Sequence, residues 1–316
     1  MNRRQFIASS AIAGFAAMAK GACPSGNCQV DGKCLAQLNL CLQWGSIPVK
    51  QQDDINAKLD YLEANGYTAV EIPTGKNCEW LFKNAAAFEK AMQGRKLKCA
   101  TACGPSDFSY ADKAKRDAEV EKFLPALEIL GQLKSVGLII CPARGKPELP
   151  LQVLRQDFVE NTGKRLAEKA AACGTSIVLE PLQRRETPFL RQVADGAAIA
   201  RDIGKGATVM ADFWHMSKEE TSFEGAMLAG GSNLTHVHIA SLVNRSIPGT
   251  DGDADNYVNG FTGLKRIGYR GAVSLEGRWP DMGKDANGKK IHPTLEQRHE
   301  LLTKMCQLIK KQWKEA

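Results

Sequence analysis

Two glutamates, one aspartate and a pair of histidines stand out in the second half of the chain. Each closes, or nearly closes, a short apolar run: Glu180 in "IVLEPL", Asp212 in "VMADFWH", His236 and His238 in "LTHVHIA", and Glu276 in "AVSLEG". A carboxylate at the mouth of a core strand is costly, because desolvation disfavours its charge. Something nearby must compensate it. Two Glu, one Asp and one His make a hard, largely oxygen donor set, which suits Mn²⁺ first, then Mg²⁺ or Co²⁺, with Zn²⁺ also compatible. A bound dication would offset the carboxylates and polarise a carbonyl and hydroxyl held beside it. Two carboxylates on opposite sides of an acidified carbon could then take a proton from one face and return it to the other.

The elements that must position these groups are strands, where side chains alternate between faces. Val178 and Glu180 share one face, with Ile177 and Leu179 on the other. His236 and His238 oppose Thr235, Val237 and Ile239. Val273 and Leu275 face helices, so Glu276 faces inward. From Leu35 onward, an apolar run followed by a helical pattern recurs. The predicted strands are 35–43, 67–73, 97–104, 135–143, 175–182, 207–215, 233–241 and 271–277. Helical spacing of Ile55, Leu59 and Leu62, or of Leu264 and Ile267, fills the intervals, and Gly66, Gly174, Gly206 and Gly268 introduce strands as helix-ending residues. Eight such units predict an α/β fold, a single-domain (β/α)₈ TIM barrel over residues 35–316. A doubly wound sheet would normally stop at about six strands, and "LQWGSIP" after the first strand is no glycine-rich phosphate fingerprint. Barrel enzymes keep their sites at the C-terminal ends of the strands, where four late strands here place their polar groups.

The chain has 316 residues, 43% of them hydrophobic, enough for a full core. Its formal charge is +7, which falls to +4 without Arg3, Arg4 and Lys20. Much of that remainder sits on Lys304, Lys310, Lys311 and Lys314, a solvated helix face, so no nucleic-acid partner is expected. Residues 1–22, "MNRRQFIASSAIAGFAAMAKGA", have a basic start, a short apolar run and a small-x-small site at Ala17-Met18-Ala19. The apolar run is too short to span a bilayer. Arg3-Arg4 followed by Gln5 and Phe6 resembles a twin-arginine export signal, which implies the twin-arginine export machinery as partner and a periplasmic enzyme after cleavage, with no membrane span retained. Residues 23–34 form a linker in which two of Cys23, Cys28 and Cys34 could pair once exported. Cys41, Cys99, Cys103 and Cys141 lie in apolar runs and are expected as buried thiols.

"LEPLQRRE", "ADFWHM", "HVHIASLVNRSIPG" and "VSLEG" resemble the xylose isomerase-like TIM barrels grouped as sugar phosphate isomerases/epimerases, with ketose 3-epimerases and hydroxypyruvate isomerases most similar in motif. The resemblance extends from about residue 35 to the end, and its specific motifs lie in the second half. It implies Glu180, Asp212, His238 and Glu276 as metal ligands, Glu180 and Glu276 as the acid/base pair, and Glu186, His215 and Arg245 as substrate contacts. His236 would then support a ligand or pack. The chain departs from the pattern at Gln183, where Asn is common, at Trp214 beside Asp212, and in the spacing of His238 and Arg245, which is seven where six is usual.

The implied function is a metal-dependent isomerase or epimerase acting on a free ketose or keto-sugar through an enediolate. The alternative is a lyase or hydratase of 3-keto-glycosides or 3-keto-glycals, since acidifying a C–H beside a ketone also promotes β-elimination or water addition. A DNA-repair nuclease of the same superfamily would need several early-strand histidines, and none of the five His precedes His215. A non-catalytic binder would hold metal or sugar without turnover. Pairing into a homodimer is also implied by the family. Ser106 and Asp107 after the third strand, and the polar segment 278–293, are further places where substrate contacts or a lid could arise.

Overall fold

Eight short strands, all parallel, close on themselves in the order of the chain. They are β1 (Asn39–Gln43), β2 (Ala69–Pro73), β3 (Lys98–Cys103), β4 (Gly137–Ile140), β5 (Ser176–Leu179), β6 (Ala207–Asp212), β7 (Leu234–Ile239) and β8 (Ala272–Leu275), with β8 pairing back to β1. The computed structural model describes residues 29–30 and 33–316. The leader with Arg3, Arg4 and Ala17-Met18-Ala19, together with Cys23 and Cys28, lies outside the described residues. Gln29–Val30 and Lys33–Cys34 pair as a separate antiparallel ladder. Among the described residues, no helix is long and apolar enough to cross a membrane.

Alternation builds two cores. Leu40, Leu42, Val70, Ile72, Ile177, Leu179, Val209, Val237, Ile239, Val273 and Leu275 point outward into one core shared with helix residues such as Leu59, Phe88, Leu127, Leu166 and Leu264. Full burial of each such side chain stabilises by roughly 1.5–3 kcal/mol. Inside the barrel, small residues Cys41, Ala69, Ala100 and Ala272 pack together, and Ile139, Val178 and Met210 form another apolar group. The remaining interior is polar.

The strands are shorter than the apolar runs predict. After Asp212 the chain turns at once into the helix Phe213–Glu219, and after Leu179 and Leu275 it leaves the sheet in loops. Each helix must also end cleanly before its strand. The helix before β6 ends at Ile203 with Gly204, not the expected Gly206, as its cap. Gly206 instead turns the chain into β6 at φ +89°, where a Cβ would stand 2.0 Å from the Ala167 carbonyl oxygen, so no other residue fits.

Two barrel pairings carry a register shift, one between β2 and β3 opposite Glu71 and one between β6 and β7 before His236. Such a bulge adds a residue and re-aims its side chain. Thr235, expected on the outer face, accordingly turns inward to bond Thr208 (Oγ1–Oγ1 2.9 Å). Thr101 is re-aimed in the same way and bonds Glu71 (Oγ1–Oε2 3.0 Å).

Candidate metal and acid–base site

The late strands deliver their polar residues to one point. One ligand-capable atom each of Glu180, Asp212, His238 and Glu276 lies within 4.8 Å of the others. His238 Nδ1 faces all three carboxylates, at 3.1 Å from Glu276 Oε2, 3.7 Å from Glu180 Oε1 and 4.0 Å from Asp212 Oδ2. His238, Glu180 and Asp212 are buried, while Glu276 is 21% exposed and looks out of the barrel mouth.

Each carboxylate divides its oxygens. Asp212 Oδ1 caps the helix that follows, accepting from the backbone N–H of Trp214 (2.7 Å) and His215 (3.2 Å), which leaves Oδ2 for the cluster. Glu180 Oε2 accepts from the Cys141 thiol at 3.3 Å, whereas its buried Oε1 has no hydrogen-bond partner. An orphaned carboxylate oxygen aimed at other oxygen donors is costly unless a cation completes the set. Three carboxylates and one imidazole nitrogen therefore fit a hard or borderline divalent ion.

Electrostatics pull the two outer acids apart. Burial pushes the Asp212 carboxyl up; the neighbouring His215 opposes the shift and Glu276 reinforces it. Burial would also raise Glu276, but His238 and Arg245 overcome it and hold this carboxyl well below its ordinary range. For His238, burial favours the neutral ring, yet Glu71 and Glu276 raise it well above the usual histidine value.

The far side of His238 meets a residue that strand-end patterning does not single out. Glu71, from the middle of β2, accepts from His238 Nε2 at 2.8 Å and His236 Nε2 at 2.7 Å, both on Oε2, while Gln43 Nε2 donates to Oε1 at 2.7 Å. Burial would raise the Glu71 carboxyl, and the two histidines hold it far below its usual range instead. Its one signal in the sequence is a lone charge inside "TAVEIP".

The three residues expected to touch substrate lie around the same mouth. Arg245 Nη2 is 2.6 Å from Glu276 Oε2, and Nη1 is 3.7 Å from Glu186 Oε1. Its guanidinium sits 4.5 Å from the Trp214 ring centroid, and its backbone takes a left-handed φ of +53°. His215 Nδ1 accepts the Gln183 backbone N–H at 3.0 Å, which leaves the ring proton on the buried, unpartnered Nε2. Glu186 Oε1 accepts from Gln183 Nε2 at 3.1 Å.

Other expectations resolve into structure. Ser106 bonds the backbone of Cys141 through both its lone pair and its proton, and Asp107 accepts from Ser109, so both shape loops. Cys41, Cys99 and Cys141 are buried free thiols, while Cys103 is partly open and lines a cavity of about 230 Å³ at the mouth with Gln43, Trp44, Glu71 and Glu276. The segment 281–292 is exposed throughout, a solvated loop in this conformation. A larger concavity of about 690 Å³ lies among Ser217, Phe223, Asn256 and Thr262, and none of the clustered acids lines it.

Comparison with known proteins finds sugar epimerases among the relatives of this chain. The chain is 33% identical over 166 residues to an L-ribulose 3-epimerase of Methylomonas sp. (strain DH-1), covering 52% of this chain and 56% of that protein. It therefore spans little more than half of that relative. It is 28% identical over 237 residues to a 3-dehydro-D-guloside 4-epimerase of Escherichia coli (strain K12), covering 72% and 88%. The solved structure of an E. coli 3-keto-D-glucoside 4-epimerase shares the fold at TM-score 0.72 and 23% identity, over 86% of this chain and 100% of that one. A D-psicose 3-epimerase solved in the presence of D-fructose does so at TM-score 0.73 and 21% identity, over 87% and 99%. The family model described as xylose isomerase-like TIM barrel matches residues 59–305, and the chain belongs to that family.

Proposed function

We propose that the chain is a divalent-metal-dependent isomerase or epimerase of a free ketose or keto-sugar. The observation that carries this reading is that Glu180 and Glu276, from strands that are not neighbours in the barrel, face the same nitrogen of His238. A divalent ion, Mn²⁺ first among the candidates, held by Glu180, Asp212, His238 and Glu276 would polarise a substrate carbonyl and acidify the adjacent C–H. One carboxylate takes that proton, leaving a planar enediolate carbon, and the other returns a proton to the opposite face. Arg245 Nη2, 2.6 Å from Glu276 Oε2, favours the ionised form of that carboxylate, as a proton acceptor requires. His215 Nε2–H, Arg245 and Glu186 supply two donors and one acceptor for substrate hydroxyls, and so select the carbon that lies between the two acids. The relatives support the reading: their names cover 3-epimerisation of ketoses and 4-epimerisation of a 3-keto-sugar glycoside.

The name of the 4-epimerase also keeps a lyase or hydratase reading in view, because a 3-keto-glycoside deprotonated beside its ketone can expel the aglycone. Proton NMR in D₂O separates the two. Free ketoses and 3-keto-glycosides would be incubated with Mg²⁺-loaded enzyme, with a Glu180→Gln/Glu276→Gln double variant as control. Deuterium incorporation by the wild type alone, with an epimer or isomer as product, is the expected result. Aglycone release or glycal hydration moves the protein to the lyase or hydratase class, and absence of any exchange with metal bound leaves a binding protein.

Residues 1–22 support an exported enzyme that reaches the periplasm through the twin-arginine machinery. N-terminal sequencing of the periplasmic protein tests this, with mature chain beginning after Ala19 expected and a cytoplasmic, uncleaved chain overturning it. Association into a homodimer belongs to the same proposal, and sedimentation of the mature chain reads it.

A further inference from the structure

Glu71 is the most thoroughly bonded buried acid of the barrel interior. It is 1% exposed, and four side-chain groups donate to it: His236 Nε2, His238 Nε2, Thr101 Oγ1 and Gln43 Nε2. Three of these converge on the single oxygen Oε2. Both barrel register shifts fall beside this group, the β2–β3 shift spanning Glu71 and opposing Thr101, and the β6–β7 shift immediately before His236. A regular barrel would direct Thr101 away from Glu71. The β2–β3 shift thus turns Thr101 onto a carboxylate that already receives the two inward-facing histidines of β7.

We infer that Glu71 is a positioning residue that fixes His238 as an Nδ1 ligand. This rests on the proposed metal-dependent function. A neutral imidazole has one protonated nitrogen and one lone pair. Because Glu71 accepts at Nε2 and keeps that proton, a metal-bound neutral ring must place its lone pair on Nδ1, the atom that faces Glu180, Asp212 and Glu276. His236, which reaches none of those three acids, anchors the other side of Oε2 and has an unpartnered Nδ1. Glu71, His236 and His238 are themselves close enough to suggest a second metal site. Their arrangement argues otherwise: donors surround an occupied oxygen, and the 2.7 and 2.8 Å separations are those of charge-assisted hydrogen bonds.

The test is Zn²⁺ binding by competition calorimetry together with ¹⁵N spectra of the histidine rings, on the full mature chain as wild type, Glu71→Gln and Thr101→Val. The wild type is expected to bind one Zn²⁺ per chain, with His238 metallated at Nδ1 and still protonated at Nε2. Glu71→Gln is expected to weaken binding about 10–100-fold, the usual cost of losing an outer hydrogen-bond partner of a ligand, with faster exchange of the His238 Nε2 proton. Thr101→Val removes one of the donors to Glu71 and a 3.3 Å contact to His236 Nε2 without touching His238, so a smaller loss in the same direction is expected even if Glu71→Gln folds poorly. Two Zn²⁺ per wild-type chain, with His236 deprotonated at Nε2, would overturn the inference in favour of a second metal centre. Unchanged affinity and ring spectra in both variants would overturn it as well. If the wild type binds no metal, the proposed function fails, while a protected His238 Nε2 proton lost on Glu71→Gln still establishes what Glu71 does.

Discussion

Arg245 and Glu276 form the closest ion pair of the barrel mouth, at 2.6 Å between Nη2 and Oε2, with the guanidinium stacked against Trp214. The pair couples a group that can bind a hydroxyl to a group that can move a proton. A planar fork on an aromatic face is not replaceable by an ammonium. Arg245→Lys should therefore lower kcat/KM by about tenfold or more while leaving metal binding intact, as read by steady-state kinetics beside a metal titration. A variant with wild-type kinetics would show that the fork does not orient substrate.

Glu276→Gln keeps the shape of the side chain and removes its basicity. A positioned acid or base contributes about 10²–10⁴-fold, so turnover should fall in that range. Solvent deuterium should still enter the substrate slowly if Glu180 alone can exchange its proton. Loss of a few fold only would exclude Glu276 from proton transfer.

His215 offers a single proton, on Nε2, because Nδ1 is committed to the Gln183 backbone. One neutral hydrogen bond contributes about 0.5–1.5 kcal/mol, which corresponds to roughly 2–13-fold. His215→Phe should raise KM by that factor, with a smaller change in turnover. A turnover rate lowered about a thousandfold at constant KM would instead make His215 a participant in the chemistry.

Metal binding to the folded chain alone should raise its melting temperature, by mass action, in proportion to the logarithm of free ion. At about 100 times Kd the gain is about 2.7 kcal/mol. Melts in Mn²⁺ and in chelator should differ for the wild type and coincide for Asp212→Asn. Equal melts for the wild type would count against the ion.

Lys58 should shape stability at alkaline pH. Its ammonium is buried with one acceptor, the Trp44 carbonyl at 2.7 Å, and burial lowers it from the ordinary 10.5 to about 8, partly opposed by Asp53. Between those values the unfolded chain holds more protons than the folded one, so stability rises with pH through that window. Urea melts across it should show that slope for the wild type and not for Lys58→Met. A wild-type stability that stays flat or falls there would contradict the sign.

The barrel and its late-strand acids are legible in the sequence because their pattern is local. Glu180, Asp212, His238 and Glu276 each end an apolar run, and alternation alone directs them inward. Period-two counting puts Thr235 on the wrong face because a bulge depends on pairing with β6, which counting along one strand cannot see. Glu71 is illegible for a related reason. Its partners come from β7, β3 and β1, and a charge inside a strand reads as an anomaly until those partners are in place. Apolar runs overstate strand length where hydrophobic residues continue into a helix, as at Phe213, which packs against Phe223, Tyr257 and Phe261.

Asp212 serves two masters with its two oxygens, one closing the first turn of the helix that carries His215 and the other facing His238. Evolution therefore meets a correlated constraint at this position. A replacement that still chelates but cannot cap, such as a longer acid, would loosen the helix and displace His215 along with it. One that caps but cannot chelate, such as Ser, would preserve the scaffold while emptying it of chemistry. Divergence toward new substrates has freer ground in the exposed segment 281–292, where a change disturbs neither the cap nor the cluster.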